Sequence, residues 1–116
     1  MNKTILLGRL TRDPEQRTTQ NEKQVSTFTL AVNRIFEKDK ADFINIIAWN
    51  KLSEFTQKYL TKGRQIVVVG RLQVRDYEKD GRKTYITEVI AEEIYFADSK
   101  SNIEVNVNTA DDDLPF

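Results

Sequence analysis

The chain contains neither cysteine nor histidine in its 116 residues. The first absence removes disulfides, thiolate nucleophiles and sulfur-ligated metals; the second removes the commonest metal ligand and general base. Carboxylates and lysines remain, yet the 18 acidic residues are scattered through charged turns, and no pair of them stands out on an apolar strand. A non-enzymatic protein with no cofactor and no bound metal is therefore expected. The sequence also lacks any stretch near the roughly 18 apolar residues of a membrane span, and any basic-then-apolar leader. A soluble protein of the cell interior, without a membrane association, follows as an expectation.

What is present is charge, in balance overall and out of balance locally. The 18 basic and 18 acidic residues cancel. Residues 1–97, however, hold 17 Lys/Arg against 13 Asp/Glu, while residues 98–116 hold one against five. A body of net +4 suits a polyanionic partner, and a tail of net −4 suits a basic one, or the body itself. A chain this short has room for one domain and buries only about two-thirds of its unfolded surface, which favours self-association.

Periodicity divides the body into five strands and one helix. The apolar run 3–10, Val25 to Phe36, and the segment Phe43 to Trp49 read as the first three strands, with the polar stretch Glu15 to Lys23 between the first two. Leu52, Phe55, Tyr59 and Leu60 then fall at i, i+3, i+7 and i+8, which predicts a helix over 52–62 with Gly63 closing it in a left-handed cap. Gln65 to Tyr77 and Thr84 to Phe96 read as strands four and five, joined by the tight-turn sequence Lys79-Asp80-Gly81-Arg82. Apolar density falls beyond Asp98, so 98–110 reads as a short linker. An all-β domain over 1–97, with one helix between its third and fourth strands, is the layout of the five-stranded oligonucleotide/oligosaccharide-binding (OB) barrel. Strand order alone leaves an SH3-like barrel open, although such barrels normally lack a three-turn helix at that point.

Two strands carry the chemistry. Alternation along strand four sets Arg71, Gln73, Arg75 and Tyr77 on one face and Val68, Gly70, Leu72 and Val74 on the other. Cations for phosphates interleaved with flat rings for bases are what binding a single nucleic-acid strand requires. On strand three, Phe43, Asn45, Ile47 and Trp49 share one face and Ile44, Ile46 and Ala48 the other, so an apolar face is surplus to a small core. Burial in the barrel or at a subunit contact accounts for Phe43 and Trp49 as well as exposure does. Phe36 has the phase of the core positions Phe28, Leu30 and Val32, and a bulge is needed to turn it outward. The last six residues, Asp111-Asp112-Asp113-Leu114-Pro115-Phe116, place three like charges ahead of an apolar tip whose final ring carries the α-carboxylate. Such a tip fits a basic-rimmed apolar pocket on another protein.

Taken together, Ile5-Leu6-Leu7-Gly8-Arg9-Leu10, Asp13-Pro14-Glu15-Gln16-Arg17, Thr29-Leu30-Ala31-Val32-Asn33-Arg34, Asp42-Phe43 leading to Trp49, Tyr59-Leu60-Thr61-Lys62-Gly63, Val69-Gly70-Arg71-Leu72, Tyr85-Ile86-Thr87-Glu88-Val89 and the acidic Leu-Pro-Phe end make this chain one that resembles the bacterial single-stranded DNA-binding protein family. The resemblance spans nearly the whole chain. It implies a homotetramer of OB barrels that coats single-stranded DNA during replication, recombination and repair, in the cytoplasm and on the nucleoid. It further implies base stacking by Phe36, Phe43, Trp49 and Tyr77, and phosphate contacts from Lys3, Arg9, Arg34, Lys51, Lys62, Arg71 and Arg75. Residues Asp111 to Phe116 become the handle for replication, recombination and repair proteins. Gln73 and Asp76 depart from the pattern by standing where many members carry basic residues, and the 98–110 linker is shorter than the usual Gly/Pro/Gln-rich one.

Overall fold

The computed structural model describes residues 1–97, so the expected linker 98–110 and tip 111–116 lie outside the described residues. The elements run in the order β1 (Thr4–Leu10), β2 (Glu15–Thr18), β3 (Gln24–Asn33), β4 (Ala41–Trp49), α1 (Asn50–Tyr59), β5 (Gln65–Lys79) and β6 (Arg82–Phe96). Five of these strands, and the helix between β4 and β5, are those the apolar pattern indicates. The additional strand, β2, is the polar segment after Pro14. It is exposed at all four positions and pairs with β3 from Glu15↔Thr27 to Thr18↔Gln24. A strand that buries neither face leaves no alternation to detect.

The sheet order is β1-β5-β6-β4-β3-β2, and a further β1–β3 pairing carries five of the strands round a closed circuit. The β4–β6 contact is parallel, at Ile46↔Val89 and Ile47↔Ile90, and the rest of the circuit is antiparallel. Closure depends on Gly8. A Cβ at that position would meet the Ala31 carbonyl oxygen at 2.5 Å and Leu30 Cγ at 2.9 Å, so glycine alone lets β3 cross this close to β1. Inside the circuit lie Leu10, Phe28, Leu30, Ile46, Ala48, Ile66, Val68, Val89 and Ile94, all buried.

The helix packs differently from its apolar pattern. Ser53 and Thr56 are its fully buried residues, while Leu52 and Phe55 are only half-buried. Ser26 Oγ and Ser53 Oγ lie 2.5 Å apart, Ser26 Oγ donates to the Ser53 carbonyl (3.2 Å), and Thr56 Oγ1 donates to the same carbonyl (2.7 Å). Small hydroxylated residues that satisfy one another let the helix sit close against β3. The helix ends at Tyr59, earlier than 62. Leu60 leaves it in an extended conformation and enters the core, and Gly63, at φ +87°, serves the next turn instead, donating its N–H to the Leu10 carbonyl at 2.8 Å. On the outer side, Phe55 and Tyr59 pack against Phe96 at the end of β6.

Strands β5 and β6 pair along their whole length, from Ile66↔Phe96 to Lys79↔Arg82, and Asp80 and Gly81 (φ 56° and 78°) form the expected two-residue loop. A register shift between Val69 and Gly70 marks a boundary within β5. Val68, before the shift, is fully buried. Leu72 and Val74, in phase with it but beyond the shift, are 46 % and 60 % exposed, so the far half of the hairpin projects past the core.

Candidate nucleic-acid interface

Facing residues of paired strands point the same way, so the register defines the outer surface. On β4, Ile46 and Ala48 are buried and Ile44 half-buried, which turns Phe43, Asn45, Ile47 and Trp49 outward. The Ile47↔Ile90 pair joins this face to β6. From there Arg71↔Ile90, Gln73↔Glu88, Arg75↔Ile86 and Tyr77↔Thr84 extend it along β5. On the other side, Phe43↔Ala31 and Ala31↔Arg9 continue the row across β3 to β1. The two candidate strips of the sequence, one on β4 and one on β5, are thus a single surface.

All four candidate stacking rings are uncovered. Phe36 is 95 % exposed, Phe43 68 %, Tyr77 42 % and Trp49 39 %. Phe36 needs no bulge to turn outward: β3 ends at Asn33, three residues earlier, and the ring stands on the loop to β4. Tyr85, 65 % exposed and paired with Asp76 on the opposite face of the hairpin, is a ring that pattern reading did not single out.

The candidate cations divide into engaged and disengaged groups. Arg34 donates from Nε and Nη2 to Asp42 (3.1 and 2.9 Å) and from Nη1 to Glu37 (2.6 Å). Arg75 donates from Nε and Nη2 to the two carboxylate oxygens of Glu88 (2.9 and 3.1 Å), and Lys3 Nζ to Glu92 (2.8 Å). The hydrogen bond to the carboxylate, more than its charge, holds each of these three cations above its ordinary pKa. Arg9 donates to the Gly63 carbonyl at 3.0 Å. Lys51, Lys62 and Arg71 are exposed and make no ion pair with another described residue. Of the seven, Arg71 and Arg75 lie on the shared face beside Phe43 and Trp49, with Arg9 at its far edge. Lys51 lies two residues after Trp49, in the first turn of α1, Arg34 stands where β3 ends, Lys62 lies in the turn after α1, and Lys3 is held toward Glu92.

Glu88 is the residue of this face that pattern reading passed over. It is only 5 % exposed, and it borders a groove of about 160 Å³ together with Arg12, Thr27, Thr29, Asn45 and Ile47. A carboxylate beside Val89 and Ile90 was the available sign.

Residues 1–97 match the Single-strand binding protein family. The chain belongs to that family. Membership makes the protein a DNA-binding protein rather than an enzyme. One relative, the single-stranded DNA-binding protein 1 of Staphylococcus aureus, is 54 % identical over 107 residues, covering 88 % of this chain and 69 % of its own length. Among solved structures, the Plasmodium falciparum protein in complex with single-stranded DNA superposes with a TM-score of 0.77 at 28 % identity, over 84 % of this chain and 96 % of the other. A deletion variant of the Thermus aquaticus single-stranded DNA-binding protein gives 0.68 at 32 % identity, over 83 % of this chain and 40 % of the other. These likenesses support the OB class expected from strand order.

Proposed function

We propose that the chain binds single-stranded DNA largely without regard to sequence, laying bases on Phe36, Phe43, Trp49 and Tyr77 and phosphates on Arg71, Arg75, Arg9, Arg34, Lys51, Lys62 and Lys3. The observation that carries this reading is the continuity of the outer face, on which Phe43, Trp49 and Tyr77 lie uncovered beside Arg71 and Arg75. Every base has a π-face, so rings bind any sequence, and cations add an attraction that salt weakens. Carboxylate partners do not disqualify Arg34 and Arg75. A guanidinium has five N–H donors, and Arg75 uses two of them on Glu88.

Residues 1–97 serve in this reading as the DNA-binding body, 98–110 as a linker, and Asp111 to Phe116 as the docking tip that recruits replication, recombination and repair proteins on the nucleoid. Assembly into a homotetramer is supported by β1. Among the described residues, Thr4 to Gly8 pair only with β5 and have no strand on the other edge, and the outward Ile5 and Leu7 are 68 % and 52 % exposed. Titration tests the central claim. Trp49 fluorescence should be quenched by oligo-dT far more than by duplex of equal length, with weaker binding at the higher of two salt concentrations. Equal quenching by both, or an affinity indifferent to salt, refutes it.

A further inference from the structure

Asn45 and Ile47 lie between Phe43 and Trp49 on the outer face of β4. Side chains on one face recur about every 6.6 Å, so a strand stacked on both rings passes over the space between them. The groove bordered by Arg12, Thr27, Thr29, Asn45, Ile47 and Glu88 opens there. Its polar groups are not interchangeable. Arg75 grips both oxygens of Glu88 from one side, fixing the carboxylate while each oxygen keeps a lone pair. The Thr29 hydroxyl donates to Asn45 Oδ1 (3.3 Å), and the Asn45 amide nitrogen keeps its own donors. Arg12 supplies further donors. The groove therefore offers an acceptor at Glu88 and donors at Asn45 and Arg12.

We propose that this groove is a base-reading subsite that favours cytosine over thymine, with Glu88 as its specificity-determining residue and Arg75 as the residue that positions it. Cytosine presents a 4-amino donor beside the acceptors N3 and O2, the complement of the groove. Thymine presents O4, an acceptor, where the 4-amino group would meet the carboxylate. The effect is a bias on one position of a strand that stacking otherwise holds without regard to sequence, and it rests on the single-stranded DNA reading above.

Affinities of the full chain for oligo-dC and oligo-dT of equal length, measured for wild type and Glu88→Gln, test it. The glutamine keeps the shape and can accept from Arg75 through its oxygen, which leaves its amide nitrogen as a donor toward the groove. The dC-to-dT affinity ratio should fall at least about fivefold in the variant, the low end of what one good base-edge contact discriminates. An unchanged ratio, with both strands bound, overturns the subsite and leaves the DNA reading standing. Failure of wild type to bind either strand overturns both. Independently of any variant, wild type should lose at least about fivefold when the cytosines are replaced by 2-pyrimidinone, which lacks the 4-amino group; equal affinity for the two strands overturns the proposal.

Discussion

Two halves of one strand behave oppositely. In the first half of β5, Ile66 and Val68 are sealed within the barrel; in the second, Leu72 and Val74 continue the same apolar alternation and remain exposed. The backbone pairing hardly differs, since β6 follows β5 through both halves. What differs is the third partner. As far as Gly70, β5 also has β1 on its other side, whereas beyond it, among the described residues, the Asn2 side chain alone continues the contact, bonding the backbone N–H and carbonyl of Leu72. Alternation shows which residues can share a face; only a further layer decides whether that face is buried.

The sharpest way to break the comparison is to empty the sealed half. Phe28, in contact with that core and 1 % exposed, should cost about 3–5 kcal/mol as Phe28→Ala, read from the denaturation midpoint at constant m-value. A loss below about 1 kcal/mol would show that the circuit of strands does not enclose a cooperative core.

Next in size come the rings of the outer face. Trp49→Ala and Phe43→Ala should each weaken single-strand binding by about 1–3 kcal/mol, roughly 5- to 150-fold, with the circular dichroism of the fold retained. Unchanged affinity in both would remove them from the site. The cations should then separate the disengaged from the engaged. Arg71→Ala should flatten the log–log salt dependence by about 0.7, the value for one phosphate contact on a single strand. Arg75→Ala should flatten it less and also lower stability, by about 1 kcal/mol, because it strips the buried Glu88 carboxylate of two donors; the half-exposed guanidinium keeps that figure at the low end. Equal slopes and equal stabilities for the two variants would show that the Glu88 pair has no bearing on DNA contact.

Much of this was legible in the sequence because burial leaves a period. The alternation of Phe28-Leu30 marked an inward face, that of β4 separated its two faces without showing which one turns inward, and Asp80-Gly81 marked the hairpin turn, since few other pairs adopt two successive positive φ angles. What escaped lacks a period. Strand β2 is polar on both faces, and α1 turns Ser53 and Thr56 to the interior, a choice that hydropathy does not register. The candidate rings and cations could be named from their types, but not their engagement. That Arg75 is held by Glu88 thirteen residues away, and Arg34 by Asp42 across a strand pair, follows from register, which no residue pattern within one strand contains.

The smallest expected effect bears on the open half of β5. In an isolated chain, Val74→Ser removes an apolar group already 60 % in water and opposite Thr87, so stability should change by no more than about 0.5 kcal/mol, and single-strand affinity should hold because Val74 points away from Arg75 and Tyr77. If the apolar back of the hairpin is instead covered when chains assemble, the same substitution should leave the folded spectrum intact and shift the sedimentation profile toward smaller species. The two outcomes separate cleanly with concentration. A surface truly in water gives a midpoint independent of protein concentration, whereas one covered by a neighbouring subunit gives a midpoint that rises with it in wild type and less steeply in Val74→Ser.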